Sequence, residues 1–225
     1  MLALAPMRLA AQAAADAPVA PDVLSAAPTL QNRDAVIAAF QQNYPPELHA
    51  IGIGGRALVR VLVDRQGRPA QVEVVRSSSF PPMDSAALRV AAAMRFLPAR
   101  QGASAVATWV QLPVAFTPGL PEGEKATVPR GSKVSAPKLA NREEIQQVLR
   151  QHCTSEEARG RGTVRVFVGG DGTPKAAELT EPSGNAAVDR AMTHAALVLR
   201  FEPARLASGA PVGVWVNVPI FCADV

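Results

Sequence analysis

Apolar and polar side chains alternate strictly through Val59, Val61 and Val63, the spacing of a strand with one buried face. A turn at Gly67 follows, then a second alternation that puts Val72 and Val74 on the same face. The two runs predict a hairpin whose turn glycine is free to take a positive φ. Met83, Ala87, Val90, Ala91 and Met94 then recur at helical spacing, predicting a helix that lays one apolar stripe on the sheet. Asp84 in its first turn suits the helix dipole, and Pro98 keeps the chain from continuing as helix. Val110, Leu112 and Val114 predict a last strand. Pro113 lies inside it, and a proline cannot donate to a central ladder, so this strand belongs at an edge with that nitrogen toward solvent. An opening helix is predicted over Asp34–Asn43.

The whole pattern then returns. Residues 56–100 and 161–205 align at a constant offset of 105 without a gap: Arg60, Gly67, Glu73, Ser78 and Asp84 reappear as Arg165, Gly172, Glu178, Ser183 and Asp189. Trp109 and Pro113 match Trp215 and Pro219 one residue further on, and Leu30, Asn32 and Arg33 match Leu139, Asn141 and Arg142. The second pattern predicts a helix over Glu143–His152, strands through Val164-Val166-Val168 and Ala177-Leu179, a helical stripe from Val188 to Leu199, and a last strand holding Val216, Val218 and Ile220. A repeat of this length is a domain rather than a solenoid unit. The expected fold class is α+β: two tandem α-β-β-α-β copies, each a three-stranded antiparallel sheet with helices on one face. Expected boundaries are 30–117 and 139–225, joined by a solvated Pro/Gly/Lys spacer over 118–138. Residues 1–29 are expected to be the remnant of an export signal or an unstructured Ala/Pro leader.

Composition narrows the function. No run of eighteen apolar residues occurs, so no segment in these residues is expected to span a bilayer. The net charge of +4 is uneven: residues 30–117 carry nine Arg against five acids, and residues 139–225 carry nine Lys plus Arg against ten acids. The basic first copy suits an anionic partner such as a cell-wall polymer. No aromatic-interleaved basic cluster is present, which argues against nucleic acid.

Catalytic chemistry has no foothold in the repeated residues. His49, His152 and His194 have no histidine counterpart in the other copy. Asp84, Asp189, Ser78 and Ser183 are explained as turn and cap residues. Gly52-Ile53-Gly54-Gly55 and Gly169-Gly170-Asp171-Gly172 match no phosphate-binding loop, and Asp171 alone cannot make a calcium loop. No enzyme activity, cofactor or metal is expected. Cys153 precedes the first strand of the second copy and Cys222 ends its last strand. Those strands are predicted to be antiparallel neighbours, which makes a Cys153–Cys222 disulfide geometrically reasonable in an exported protein.

Tyr44-Pro45, Gly67-Arg68, Asp84-x-Ala86-Ala87, Arg95-Phe96-x-Pro98-Ala99 and Trp109-Val110-x-Leu112-Pro113 together resemble the TonB C-terminal domain family. The resemblance implies a periplasmic domain that pairs its last strand with an extended N-terminal segment of an outer-membrane TonB-dependent transporter. It also implies an inner-membrane motor as a further partner where an N-terminal anchor exists; these residues contain no such helix. The second copy departs from the pattern, since Cys153-Thr154 stands where the first has Tyr44-Pro45. The residues expected to bind a partner are Trp109, Gln111 and Pro113, then Trp215, Asn217 and Pro219, with Tyr44 and Pro45 adding to the first site. The first copy, which keeps Tyr44-Pro45 and the basic surface, is the expected binder. The competing expectation is a structural or cell-wall-associated binding module.

Overall fold

The computed structural model describes residues 17–120, 128, 131–141, 143, 147 and 160–222. Its compact units do not follow the repeat boundary. One comprises the described residues up to Asn43 with Ala57–Arg76 and Asp84–Val114; the other comprises Tyr44–Arg56, Ser77–Met83 and the described residues from Ala115 onward.

In the first unit, helix α1 (Arg33–Asn43) buries Val36 and Ala39. It is followed by the short helix α2 (Pro46–Ala50), which belongs to the second unit. Strand β1 (Ile53–Val63) reaches the first unit at Ala57, and from there Val59, Val61 and Val63 are fully buried while Arg60 is exposed. Strand β2 (Pro69–Arg76) runs antiparallel beside it, with Val74 opposite Val59 and Val72 opposite Val61. Val72 and Val74 are only half-buried, less covered than their alternation predicts. Helix α3 (Pro81–Ala92) buries Met83, Ala87, Val90 and Ala91 completely, the stripe read from the sequence. Strand β3 (Thr108–Phe116) also pairs with β1, making β1 the central strand.

The expected unstructured leader is, from residue 17 on, an arm that is extended apart from one 3-10 turn at Pro21–Val23. Val19 N–H donates to the Ala107 carbonyl at 2.8 Å, and Ser25 N–H to the Arg100 carbonyl at 2.8 Å. Thr29 and Leu30 pair antiparallel with Leu97 and Phe96. Alanine and proline lack the apolar bulk to make a core. Held extended, however, they satisfy the backbone of residues 96–107, which composition does not reveal.

In the second unit, β4 (Gly160–Val168) is central. Strand β6 (Val214–Cys222) pairs with it without a break, from Val214 opposite Val168 to Cys222 opposite Gly160. Strand β5 (Pro174–Glu181) lies antiparallel on the other side, with Ala177 opposite Val166. Helix α4 (Ala186–Leu197) packs on all three strands. The Asn185 side chain caps it, accepting from Ala187 N–H at 2.9 Å and Val188 N–H at 3.3 Å. Val164, Val166, Val168, Leu179, Val188, Met192, Leu199 and Ile220 form the core.

The same unit contains a pairing that the repeat pattern does not anticipate. Ile53 and Gly54, the first residues of β1, lie parallel to Ala177 and Glu178 of β5. Ala177 N–H donates to the Gly52 carbonyl at 2.8 Å. As a result Ala176, Ala177, Glu178 and Leu179 are all buried, where alternation predicts only Ala177 and Leu179. The glycine run permits this approach. Gly52 sits at φ +71°, and a Cβ there would stand 2.6 Å from the Lys175 carbonyl oxygen. A Cβ on Gly54 would stand 2.5 Å from the Phe116 carbonyl oxygen.

The expected spacer is likewise partly docked: Ser135 N–H donates to the Arg205 carbonyl at 2.9 Å, and Lys138 and Leu139 pair with Glu202 and Phe201. Of the expected helix Glu143–His152 only Glu143 and Gln147 are described, both helical. Cys153 lies outside the described residues, and the expected disulfide with it. Among the described residues no helix is long and apolar enough to cross a membrane.

Candidate functional site

The last strands β3 and β6 supply the site. Each pairs as a strand with one neighbour among the described residues, β3 with β1 and β6 with β4, so each has an open side. The prolines fix which backbone groups face that side. Pro113 and Pro219 are exposed and have no N–H to give, so their positions point away from the paired neighbour. Strand backbone alternates with period two. Trp109 and Gln111 in β3, and Trp215, Asn217 and Phe221 in β6, therefore aim N–H and C=O groups outward as well. Gln111 and Asn217 are exposed at the side chain too.

Trp109 and Trp215 are half-buried, and each lies under an arginine of the central strand. The Arg60 guanidinium stands 4.7 Å from the Trp109 ring centre, and that of Arg165 4.6 Å from the Trp215 ring. A glutamate on the next strand holds each arginine. Arg60 Nε donates to Glu73 Oε2 at 2.8 Å, and Arg165 Nη1 lies 3.9 Å from Glu178 Oε2. Glutamate, arginine and tryptophan thus form a row across each sheet, and all three are repeated residues. The exposed Arg60–Glu73 pair adds little stability by itself; its effect is to keep the guanidinium over the Trp109 ring. Phe167 adds an edge contact to Trp215 at 5.4 Å, where the first repeat has Leu62.

Tyr44 and Pro45 are not on the open edge. Pro45 is buried. The Tyr44 hydroxyl donates to the Ile53 carbonyl at 2.9 Å, and its ring meets His49 at 4.9 Å and Phe116 at 5.3 Å. Burial, and secondly the charge of Glu178, push the tyrosine's pKa well above its ordinary value. Tyr44 thus holds the start of β1 at Ile53 and meets Phe116 at the end of β3, while the Pro45 carbonyl accepts from Leu48 and His49 N–H at the start of α2.

A family model described as Gram-negative bacterial TonB protein C-terminal matches residues 41–118. The segment is a TonB C-terminal domain. Protein tonB2 of Pseudomonas aeruginosa is 34% identical over 83 residues, which cover 35% of this chain and 31% of that protein. The chain thus spans less than a third of the length of this curated relative. The TonB C-terminal match includes β1, β2, α3 and β3, hence Trp109, Gln111 and Pro113; Trp215, Asn217 and Pro219 lie beyond it.

Three structural roles escaped sequence reasoning. Asn32 donates to the Ala93 carbonyl at 2.9 Å and accepts from Arg95 N–H at 2.8 Å, closing the chain after α3. Asn141 does the same after α4, with Val198 at 3.1 Å and Arg200 at 2.7 Å. Their repetition was visible, but nothing in sequence said which carbonyls they meet. The arginine-over-tryptophan rows were likewise visible only as repeated letters. The third is Ser79, whose hydroxyl donates to the buried Asp189 carboxylate at 2.5 Å.

Proposed function

We propose that this chain is a tandem TonB-type binding protein of the periplasm, with no enzymatic activity of its own. The open edges of its last strands take up an extended N-terminal segment of an outer-membrane transporter, in the service of energised transport across that membrane. The observation that carries this reading is the pairing of the TonB C-terminal match with last strands that are open on one side. In each, a proline stands at an outward position and the neighbouring N–H and C=O groups are left for a partner. A strand added there gains main-chain hydrogen bonds, and Trp109, Gln111, Trp215 and Asn217 choose its side chains. Protein tonB2 lends support through its name and its 34% identity over the aligned stretch. The two copies are read as domains of one kind, each with its own last-strand edge.

The test is titration of the full chain with extended N-terminal peptides of outer-membrane transporters, at low and at moderate salt. Strand addition predicts saturable binding that survives moderate salt, because main-chain hydrogen bonds dominate it. Failure of every such peptide to bind the intact chain overturns the reading. The exposed arginines Arg68, Arg76, Arg89 and Arg100 favour a second reading, retention on an anionic cell-wall polymer. Binding of that kind weakens steeply over the same salt range.

A further inference from the structure

We infer that Arg60 selects the partner of the β3 edge: the strand held best there carries a carboxylate that docks between the Arg60 guanidinium and the Gln111 amide. This rests on the strand-addition reading and names the side chain such a strand needs.

Arg60 belongs to the central strand, yet its charge is delivered to the edge. Neighbouring strands lie about 5 Å apart, so a strand added to β3 runs about 10 Å from β1 but only one spacing from β3. The Arg60 guanidinium stands 4.7 Å from the ring centre of Trp109, a β3 residue, and has thus crossed the intervening spacing. Glu73 on β2 holds it from the opposite side, where one oxygen, Oε2, accepts from Nε at 2.8 Å and from Nη2 at 2.5 Å. Those two nitrogens form one flank of the guanidinium, and Nη1 stands on the other. A guanidinium has five N–H donors and no acceptor, and Glu73 engages two of its nitrogens. Among the described residues nothing else accepts from Arg60, and its side chain is 46% exposed. The remaining donors are open to a second carboxylate, the group whose geometry an arginine fork matches.

Gln111 supplies the neighbouring donor. In the second repeat Asn217 lies opposite Arg165, and the matching residues of the first are Gln111 and Arg60. Gln111 is exposed and shares the period of Trp109, hence its face of the sheet. A glutamate of the added strand that lands on this face meets Gln111 beside it and Arg60 beyond it. A lysine in the same place meets the guanidinium as a like charge, so the selection has a repulsive arm as well as an attractive one. The surroundings favour the acid, since residues 30–117 carry nine Arg against five acids. An exposed ion pair adds little stability, so recognition is the better account of an arginine-over-tryptophan row present in both repeats.

The experiment titrates the full chain with twin peptides: an extended N-terminal transporter segment carrying one glutamate among apolar residues, and the same peptide with glutamine in its place. The wild-type chain is expected to prefer the glutamate twin about five-fold, near the upper end for a partly exposed ion pair. Arg60→Gln should bind the two twins equally, with the glutamine twin held within about two-fold of its wild-type affinity. A merely structural arginine would weaken both twins alike. Arg68→Gln removes the same charge from an exposed position outside the row and should leave the preference in place. Equal binding of the twins to the wild-type chain, a preference that survives Arg60→Gln, a parallel loss of both twins, or an equal effect of Arg68→Gln overturns the role of Arg60 while leaving strand addition intact. No binding by either twin or by any other transporter peptide overturns both.

Discussion

Ser79 provides the sharpest test of how the second unit is held together. It is the one described non-glycine residue with a positive φ, +72°, and the repeat places Gly184, at φ +92°, in the equivalent position. A serine there carries backbone strain on the order of 1 kcal/mol that the glycine avoids. The compensation is its hydroxyl, which donates at 2.5 Å to Asp189, with Ser79 5% and Asp189 1% exposed. The other Asp189 oxygen accepts the Ser183 N–H at 2.6 Å, and Arg190 donates to the Ser79 carbonyl at 3.1 Å. A buried hydrogen bond to a carboxylate contributes about 1.5–3 kcal/mol, so the bond outweighs the strain. Ser79→Ala keeps the strained backbone and loses the bond; its expected cost is about 2–3 kcal/mol. Ser79→Gly loses the same bond but relieves the strain, and should cost about 1–2 kcal/mol. The order is therefore wild type, then glycine, then alanine, with about 1 kcal/mol between the variants. Chemical denaturation of the full chain, followed by tryptophan fluorescence, measures it. The cycle with Asp189→Asn isolates the pair, and a coupling of at least about 0.5 kcal/mol is expected. An alanine variant no weaker than the glycine variant, or a coupling of zero, would refute the reasoning.

Tyr44 is the single tyrosine of the chain, so alkaline absorbance titration reads it directly. Its raised pKa means that the folded form resists ionisation: stability is whole below about pH 10 and falls as pH climbs beyond it, because the unfolded tyrosine ionises first. Titration of the native chain near pH 10 would contradict this, and Tyr44→Phe should flatten the alkaline loss. Gly52→Ala forces a Cβ to 2.6 Å from the Lys175 carbonyl at positive φ. The expected cost is about 2 kcal/mol or more, with faster exchange of the Ala177 amide that Gly52 holds. Residues 138–225 made alone lose Gly52, the Ile53–Gly54 pairing and Ser79, and should unfold at lower temperature than the same residues in the full chain; an unchanged midpoint would make those contacts idle. A Cys153–Cys222 bond would close a loop of about 70 residues, with stabilisation on the order of 4 kcal/mol. Mass spectrometry of unreduced, alkylated protein from the periplasm decides it, and two alkylated thiols reject it.

Local order was written in the sequence because it depends on period. The alternation at Val59-Val61-Val63 and Val164-Val166-Val168, and the stripes from Met83 and Val188, each need one buried face, and period alone names that face. Pro113 and Pro219 marked their strands as edges for an equally local reason, the missing N–H. The repeat brought Trp109 and Trp215 to attention before any fold was known. Side-chain period says nothing, however, about which backbone groups meet across the chain. The leader looked structureless because alanine and proline carry no pattern, yet Val19 and Ser25 satisfy the carbonyls of Ala107 and Arg100. Gly52-Ile53-Gly54-Gly55 offered only the absence of side chains; the tertiary structure decided that β5 fills the space. Tyr44-Pro45 resembled part of a binding motif, and folding turned it inward to the Ile53 carbonyl. Residues 44–56 and 77–83 joined the second unit because main-chain hydrogen bonds and one buried carboxylate can be satisfied by any part of the chain that arrives in the right geometry. Hydrophobic period is a property of neighbours in sequence, and partner choice for polar backbone is a property of neighbours in space.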